Sequence, residues 1–173
     1  MAKYLLIWDP LVRVCHWILV LAFTLNYFLL EPGSNPHQVF GYIALTTILV
    51  RIVWATITTN YASFKHLNLH YKNFALHYSH LRSRNIPSQS GHNPIGWLMI
   101  ISTWLLVIGL ATTGFILEEI DYFFGNSLIK NIHSIFANTL YAIVLIHIIA
   151  IILVSWWGKI SLLRPMITGK RKS

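Results

Sequence analysis

Apolar residues fill four stretches of the chain, at positions 11–30, 39–57, 95–117 and 132–157, and the polar residues collect between them. Each stretch is close to the roughly 20 residues with which an α-helix crosses a hydrocarbon core. In lipid a backbone must satisfy its own hydrogen bonds, which favours helices. No stretch alternates polar and apolar residues over the length of a barrel strand. The pattern predicts an all-α fold, an integral membrane four-helix bundle in one domain spanning residues 1–173. Its helices are expected at about 11–30, 37–57, 95–117 and 130–157.

Helix starts are marked by Asp9-Pro10, Asn35-Pro36 and Asn93-Pro94, each a capping side chain before a proline at the first helical position. Asn126-Ser127 does the same for the fourth helix. The one long connection, residues 60–92, has a period of its own. Phe64, Leu67, Tyr71, Phe74, Tyr78 and Leu81 recur at alternating spacings of three and four, with Lys65, Lys72 and Arg82 around them. This predicts a cytoplasmic interfacial amphipathic helix between helices 2 and 3. His66, His70, His77 and His80 form a second stripe beside it. Such a stripe suits a metal such as zinc or copper, but histidines at a wet interface are more often the polar edge of a helix.

Composition agrees with the membrane reading: 55% of residues are hydrophobic and 10% charged. The first apolar stretch follows Lys3 and Arg13 and has no small-residue cleavage site, so it reads as a retained anchor. Cys15 is the only cysteine. That rules out an internal disulfide and a Cys-x-x-Cys-His attachment of c-type haem, and leaves Cys15 as a small buried hydrophobe.

The net charge of +8 does not signal nucleic acid, because its placement follows membrane topology. Lys3 and Arg13 lie in the N-terminus, Lys65, Lys72, Arg82 and Arg84 in the long connection, and Lys159, Arg164, Lys170, Arg171 and Lys172 in the C-terminus. These segments share one side of a four-helix protein. By the positive-inside rule that side is the cytoplasm, with both termini inside (N-in/C-in). The other two loops hold Glu31, Glu118, Glu119 and Asp121 against Lys130 alone.

Of nine histidines, four belong to the apolar spans: His16, His37, His133 and His147. The fourteen residues from His133 to His147 are about 40° short of four turns, so both share one helix face about 21 Å apart along the axis. Helix 1 runs outward with His16 near its inner end, level with His147. Helix 2 runs inward with His37 at its start, level with His133. Two pairs result, stacked across the membrane.

Ionisable side chains inside a membrane are costly and mark functional sites, although any one such histidine can be a hydrogen-bonded core residue. Two imidazoles per level suit haem b, which takes one axial ligand on each face, better than zinc, which takes four. Arg51 lies fourteen residues after His37, on the same face and at the inner level. Arg13 and Lys130 each precede a pair member by three. All three are placed to neutralise propionates or to snorkel to headgroups. Gly41, Gly109 and Gly114 suit close approach of a flat ring or of another helix.

These residues resemble those of a known family, the prokaryotic di-haem cytochrome b561 and hydrogenase b-subunit-like membrane cytochromes. "WDPLVRVCHW" is similar to that family's first-helix start and "HQVFGYIALTTILVRIVW" to its second helix. "GHNPIGWLMI" resembles the opening of its third helix and "LLRPMITGKRK" its C-terminal signature. The resemblance covers nearly the whole chain. It implies two b haems held by four histidines, matching onto His16, His37, His133 and His147, in a bacterial inner-membrane protein with quinone as a redox partner.

With two histidines on each iron no position is open to substrate, so the expected activity is outer-sphere electron transfer across the bilayer, without catalytic residues. Asn26, Trp104 and His92 are candidates for a quinone site. The acidic face favours a basic periplasmic c-type cytochrome or a hydrogenase-like subunit over superoxide, which some relatives are thought to oxidise. Two other readings are a membrane anchor subunit of a hydrogenase or dehydrogenase, and a metal-handling protein that uses the histidine stripe.

Overall fold

The computed structural model describes residues 4–67, 69–84 and 91–172. Four of its helices are long and apolar enough to cross a membrane: α1 (Pro10–Phe28), α2 (Asn35–Ile57), α4 (Pro94–Glu119) and α5 (Ser127–Trp157). Between α2 and α4 lies α3 (Tyr71–Arg82), and a short α6 (Leu163–Thr168) follows α5. Only 6% of the most apolar window of α5 is buried within the bundle, so most of its aliphatic surface faces outward, as lipid requires. Lys3 lies outside the described residues.

Asp9 accepts from Val12 N–H at 2.9 Å, Asn93 from Gly96 N–H, and Asn126 from Leu128 and Ile129 N–H, as their positions before the helices predict. Helix α2 differs. Its cap is Ser34, whose hydroxyl accepts from His37 N–H, and Asn35 is already helical. A serine beside an asparagine offers two comparable caps, and the turn that ends at Gly33, with φ of +79°, presents the serine.

The long connection is helical only in part. Ser63 caps a single 3-10 turn, Phe64–His66, and turns the Phe64 ring onto Trp97 and Trp104 at centroid distances of 6.2 and 6.0 Å. Phe64 therefore belongs to the bundle, and the three-and-four period continues across a break. His70 caps α3 through Nδ1. On α3, Phe74, His77, His80 and Leu81 are half-buried while Tyr71 and Tyr78 are exposed. The histidine edge is thus turned inward with Phe74 and Leu81.

Helices α1 and α2 pack closely, as do α4 and α5, and α2 also meets α4. Ile48, Trp104, Val107 and Leu140 form the buried centre. Helices α1 and α5 meet through side chains: Tyr27 and Tyr141 stack at 4.8 Å, and Tyr27 Oη donates to Asn138 Oδ1 at 2.9 Å.

Strands β1 (Tyr4–Leu6) and β2 (Lys170–Lys172) pair antiparallel, so the first and last described residues lie at one end of the bundle, called here the terminal end. Gly169 O accepts from Ile7 N–H at 2.8 Å, Arg13 Nη1 donates to Ile167 O at 2.8 Å, and Trp17 Nε1 donates to Met166 O at 3.2 Å. Gly169 has φ of +79°, and a Cβ there would stand 2.9 Å from the carbonyl oxygen of Trp8. Gly169→Ala is expected to destabilise this clasp by at least about 1–2 kcal/mol from the left-handed conformation alone. Thermal unfolding together with proteolysis of the C-terminal segment checks it; an unchanged melting temperature and cleavage rate would contradict it.

Candidate functional site

The four span histidines are brought together in two pairs. At the terminal end His16 of α1 faces His147 of α5, with ring centroids 6.4 Å apart and planes inclined by 58°. At the far end His37 of α2 faces His133 of α5, 6.3 Å apart and inclined by 54°. All four are half-buried. His133 Nδ1 lies 2.8 Å from Thr113 Oγ1, and His147 Nδ1 lies 3.0 Å from Met99 Sδ. His37 Nδ1 is buried with no hydrogen-bond partner.

The glycines divide between two roles. A Cβ on Gly109 would stand 2.7 Å from the Phe136 ring, so Gly109 serves the contact of α4 with α5. A Cβ on Gly114 would meet His133, at 3.6 Å. Gly41, one turn after His37, would direct a Cβ into open space. Asn26, a sequence candidate for a quinone site, bonds this same turn: its amide donates to His37 O at 3.1 Å and accepts from Gly41 N–H at 3.2 Å. It ties α1 to α2.

Among the cations, Arg51 is 6% exposed, and both terminal nitrogens donate to Ala62 O at 3.3 Å while the guanidinium lies 5.9 Å from the Trp104 ring. Trp104 is itself buried core. Arg13 is held by Ile167 O through Nη1, and its buried Nε has no hydrogen-bond partner. Lys130 stands exposed one turn before His133.

Asp9, at the terminal end, also accepts from Trp54 Nε1 at 3.0 Å and Asn60 Nδ2 at 3.3 Å. Burial opposes its charge, but the bonds from Val12, Trp54 and Asn60 and the field of Arg51 prevail and hold the carboxyl below its usual range. A depressed carboxyl contributes stability that is fully present above its unfolded value, about pH 4, and lost as pH falls through the lower native value. Asp9→Asn is expected to flatten the acid limb of a stability-versus-pH curve. Melting the protein at a series of pH values below 5 tests this, and an unchanged acid limb would contradict it.

His92 stacks on Trp8 at 4.3 Å and meets Trp97 edge-on at 5.5 Å. Burial, reinforced by Arg51, pushes it down to about 3, so it is neutral at physiological pH. His77 Nε2 lies 2.9 Å from Asn93 Nδ2, which joins α3 to the start of α4. His66 packs against Tyr61 at 5.6 Å, in the 3-10 turn before α3. The four histidines of the stripe are therefore spread over a turn, a cap and a helix. Among the described residues no group of three or more histidine, cysteine or acidic side chains is arranged to hold a metal ion.

At the far end Gln38 Nε2 donates to Glu118 Oε2 at 3.3 Å, and Glu31, Glu119 and Asp121 are exposed. Thr113 and Met99 were not found from the sequence: they lie 20 and 48 residues from the histidines they contact, and neither residue type is unusual in a membrane helix.

A profile of the family described as prokaryotic cytochrome b561 matches residues 7–169. No curated protein matches the chain.

Proposed function

The chain belongs to the prokaryotic cytochrome b561 family, multi-pass membrane proteins that transfer electrons through haem b, and on that premise we propose that it carries two b haems as a transmembrane electron conductor. His16 with His147 and His37 with His133 would supply the axial ligands. The separation of the paired rings carries this reading. The facing rings, with centroids 6.4 and 6.3 Å apart, would leave room between them for one metal ion with an imidazole on each side.

Other features fit the same group. Open space beside Gly41 suits a macrocycle edge, and the unpartnered Arg13 Nε suits a propionate. Arg51 and Lys130 would neutralise propionates at the two levels, Arg51 with the donor capacity left beyond its bond to Ala62 O. Haem b supplies a one-electron couple. The protein fixes both imidazoles, surrounds them with apolar side chains and holds the sites at two depths, so its potentials are set by ligand bonding and local charge. A haem analysis of the purified protein tests this: two low-spin haems per chain are expected, and none or one would refute it.

By the positive-inside rule the basic terminal end would face the cytoplasm. Quinone is the membrane-side partner that the family suggests, and the acidic far end suits a basic periplasmic protein, a c-type cytochrome or a hydrogenase-like subunit. Neutralising Glu118, Glu119 and Asp121 together is expected to slow transfer to a cationic partner about tenfold at low ionic strength, with the difference closing as salt rises. Stopped-flow rates at two salt concentrations check this, and unchanged rates at low salt would remove the argument.

A further inference from the structure

Each histidine of α5 has a partner at Nδ1, and the partners differ in kind. Thr113 Oγ1, 2.8 Å from His133 Nδ1, already donates to Gly109 O at 2.8 Å, with Leu110 O at 3.1 Å. A hydroxyl has one proton, so its oxygen accepts from His133. Met99 Sδ, 3.0 Å from His147 Nδ1, accepts only weakly. In both rings Nδ1 carries the proton and Nε2 keeps its lone pair for a metal. The stronger acceptor makes His133 the more basic ligand, and a more basic ligand favours oxidised iron. His37, the other far-end histidine, makes no short hydrogen bond at its buried Nδ1 and is acted on by the Asn26 backbone, so Thr113 is the short-range acceptor on that pair.

Of the local charges Glu118 and Arg51 work in the same direction, while the exposed Lys130 before His133 and the Asp9 carboxylate that acts on Arg51 oppose it. At the far end the Glu118 carboxylate acts on His37 through space and is bonded by the adjacent Gln38. At the terminal end the buried Arg51 acts through space on Cys15, the neighbour of His16 in α1. Negative charge favours the oxidised centre and positive charge the reduced one.

We propose that Thr113 and Met99 set the order of the two potentials, the far-end site lower and the terminal-end site higher. This rests on the two-haem reading above. An electron entering at the far end then runs downhill to the terminal end. With the terminal end in the cytoplasm, that offset works against the membrane potential, which opposes inward movement of negative charge.

The test is an optical potentiometric titration of the haem-loaded, full-length protein as wild type, Thr113→Val, Thr113→Ser and Met99→Gln. The wave retained in His147→Ala identifies the far-end site. Two waves are expected, with the far-end wave lower. Thr113→Val should shift that wave alone to more positive potential, and Thr113→Ser should restore it. Met99→Gln places a carbonyl acceptor in reach of His147 and should shift only the upper wave, to more negative potential. It also tests the idea if Thr113→Val does not load haem. Reversed order, or substitutions that move neither wave or the wrong one, would overturn the proposal while leaving two haems in place. A haem count below two, or a spectrum without paired histidine ligation, would instead overturn the reading beneath it.

Discussion

His147→Ala is expected to remove one haem per chain and leave the other, and His133→Ala to do the same at the opposite level. The two sites share a helix but no ligand: His147 faces His16 of α1, and His133 faces His37 of α2. Fourteen residues of helix, about 21 Å, separate the α5 members, so losing one imidazole leaves the other pair's geometry intact. The haem-to-protein ratio should fall from two to about one in each variant, with a different absorption component lost each time. Transfer across the membrane should disappear in both, because each site is a necessary step. Loss of both haems from either substitution, or of neither, would contradict the pairing.

Gly41→Leu is expected to produce an almost equally large loss at the far-end site alone. A Cβ at Gly41 meets nothing within 4 Å, so leucine is accommodated by the protein itself. Replacing a helical glycine even favours the helix by about 1 kcal/mol. Asn26 bonds only backbone groups of that turn and keeps its partners. The side chain would, however, occupy the space one turn from His37 where a macrocycle edge would lie. The protein should fold with unchanged helicity yet carry about one haem. Full loading in a folded variant would show that Gly41 does not line the site.

The spans were legible because lipid leaves a chain few choices: long apolar runs must be helices, and the caps of α1 and α4 sit beside prolines. The histidine pairs were legible from a fourteen-residue spacing combined with the alternating direction of successive helices. Residues 60–92 were harder, because a period of three and four does not reveal a break. Ser63 caps a short turn there and Phe64 is drawn into the Trp97 and Trp104 rings, a tertiary contact that local pattern does not contain. Arg51 was legible as a cation on the His37 face of its helix, but its bonds to Ala62 O depend on how that loop folds back. The C-terminal string "LLRPMITGKRK" stood out as a resemblance; its physical content, a glycine under the Trp8 carbonyl and a strand paired to Tyr4–Leu6, became visible only in three dimensions.

The central claim is that electrons cross the bilayer through two histidine-held haems, and reconstitution in sealed vesicles tests it most directly. Ferricyanide, which does not cross a bilayer, is trapped inside, and a membrane-impermeant reductant is added outside. Wild-type vesicles should reduce the trapped ferricyanide, while vesicles carrying His147→Ala or His133→Ala, or no protein, should not. Equal reduction in the alanine variants, or none in a wild type that holds two haems, would contradict the account.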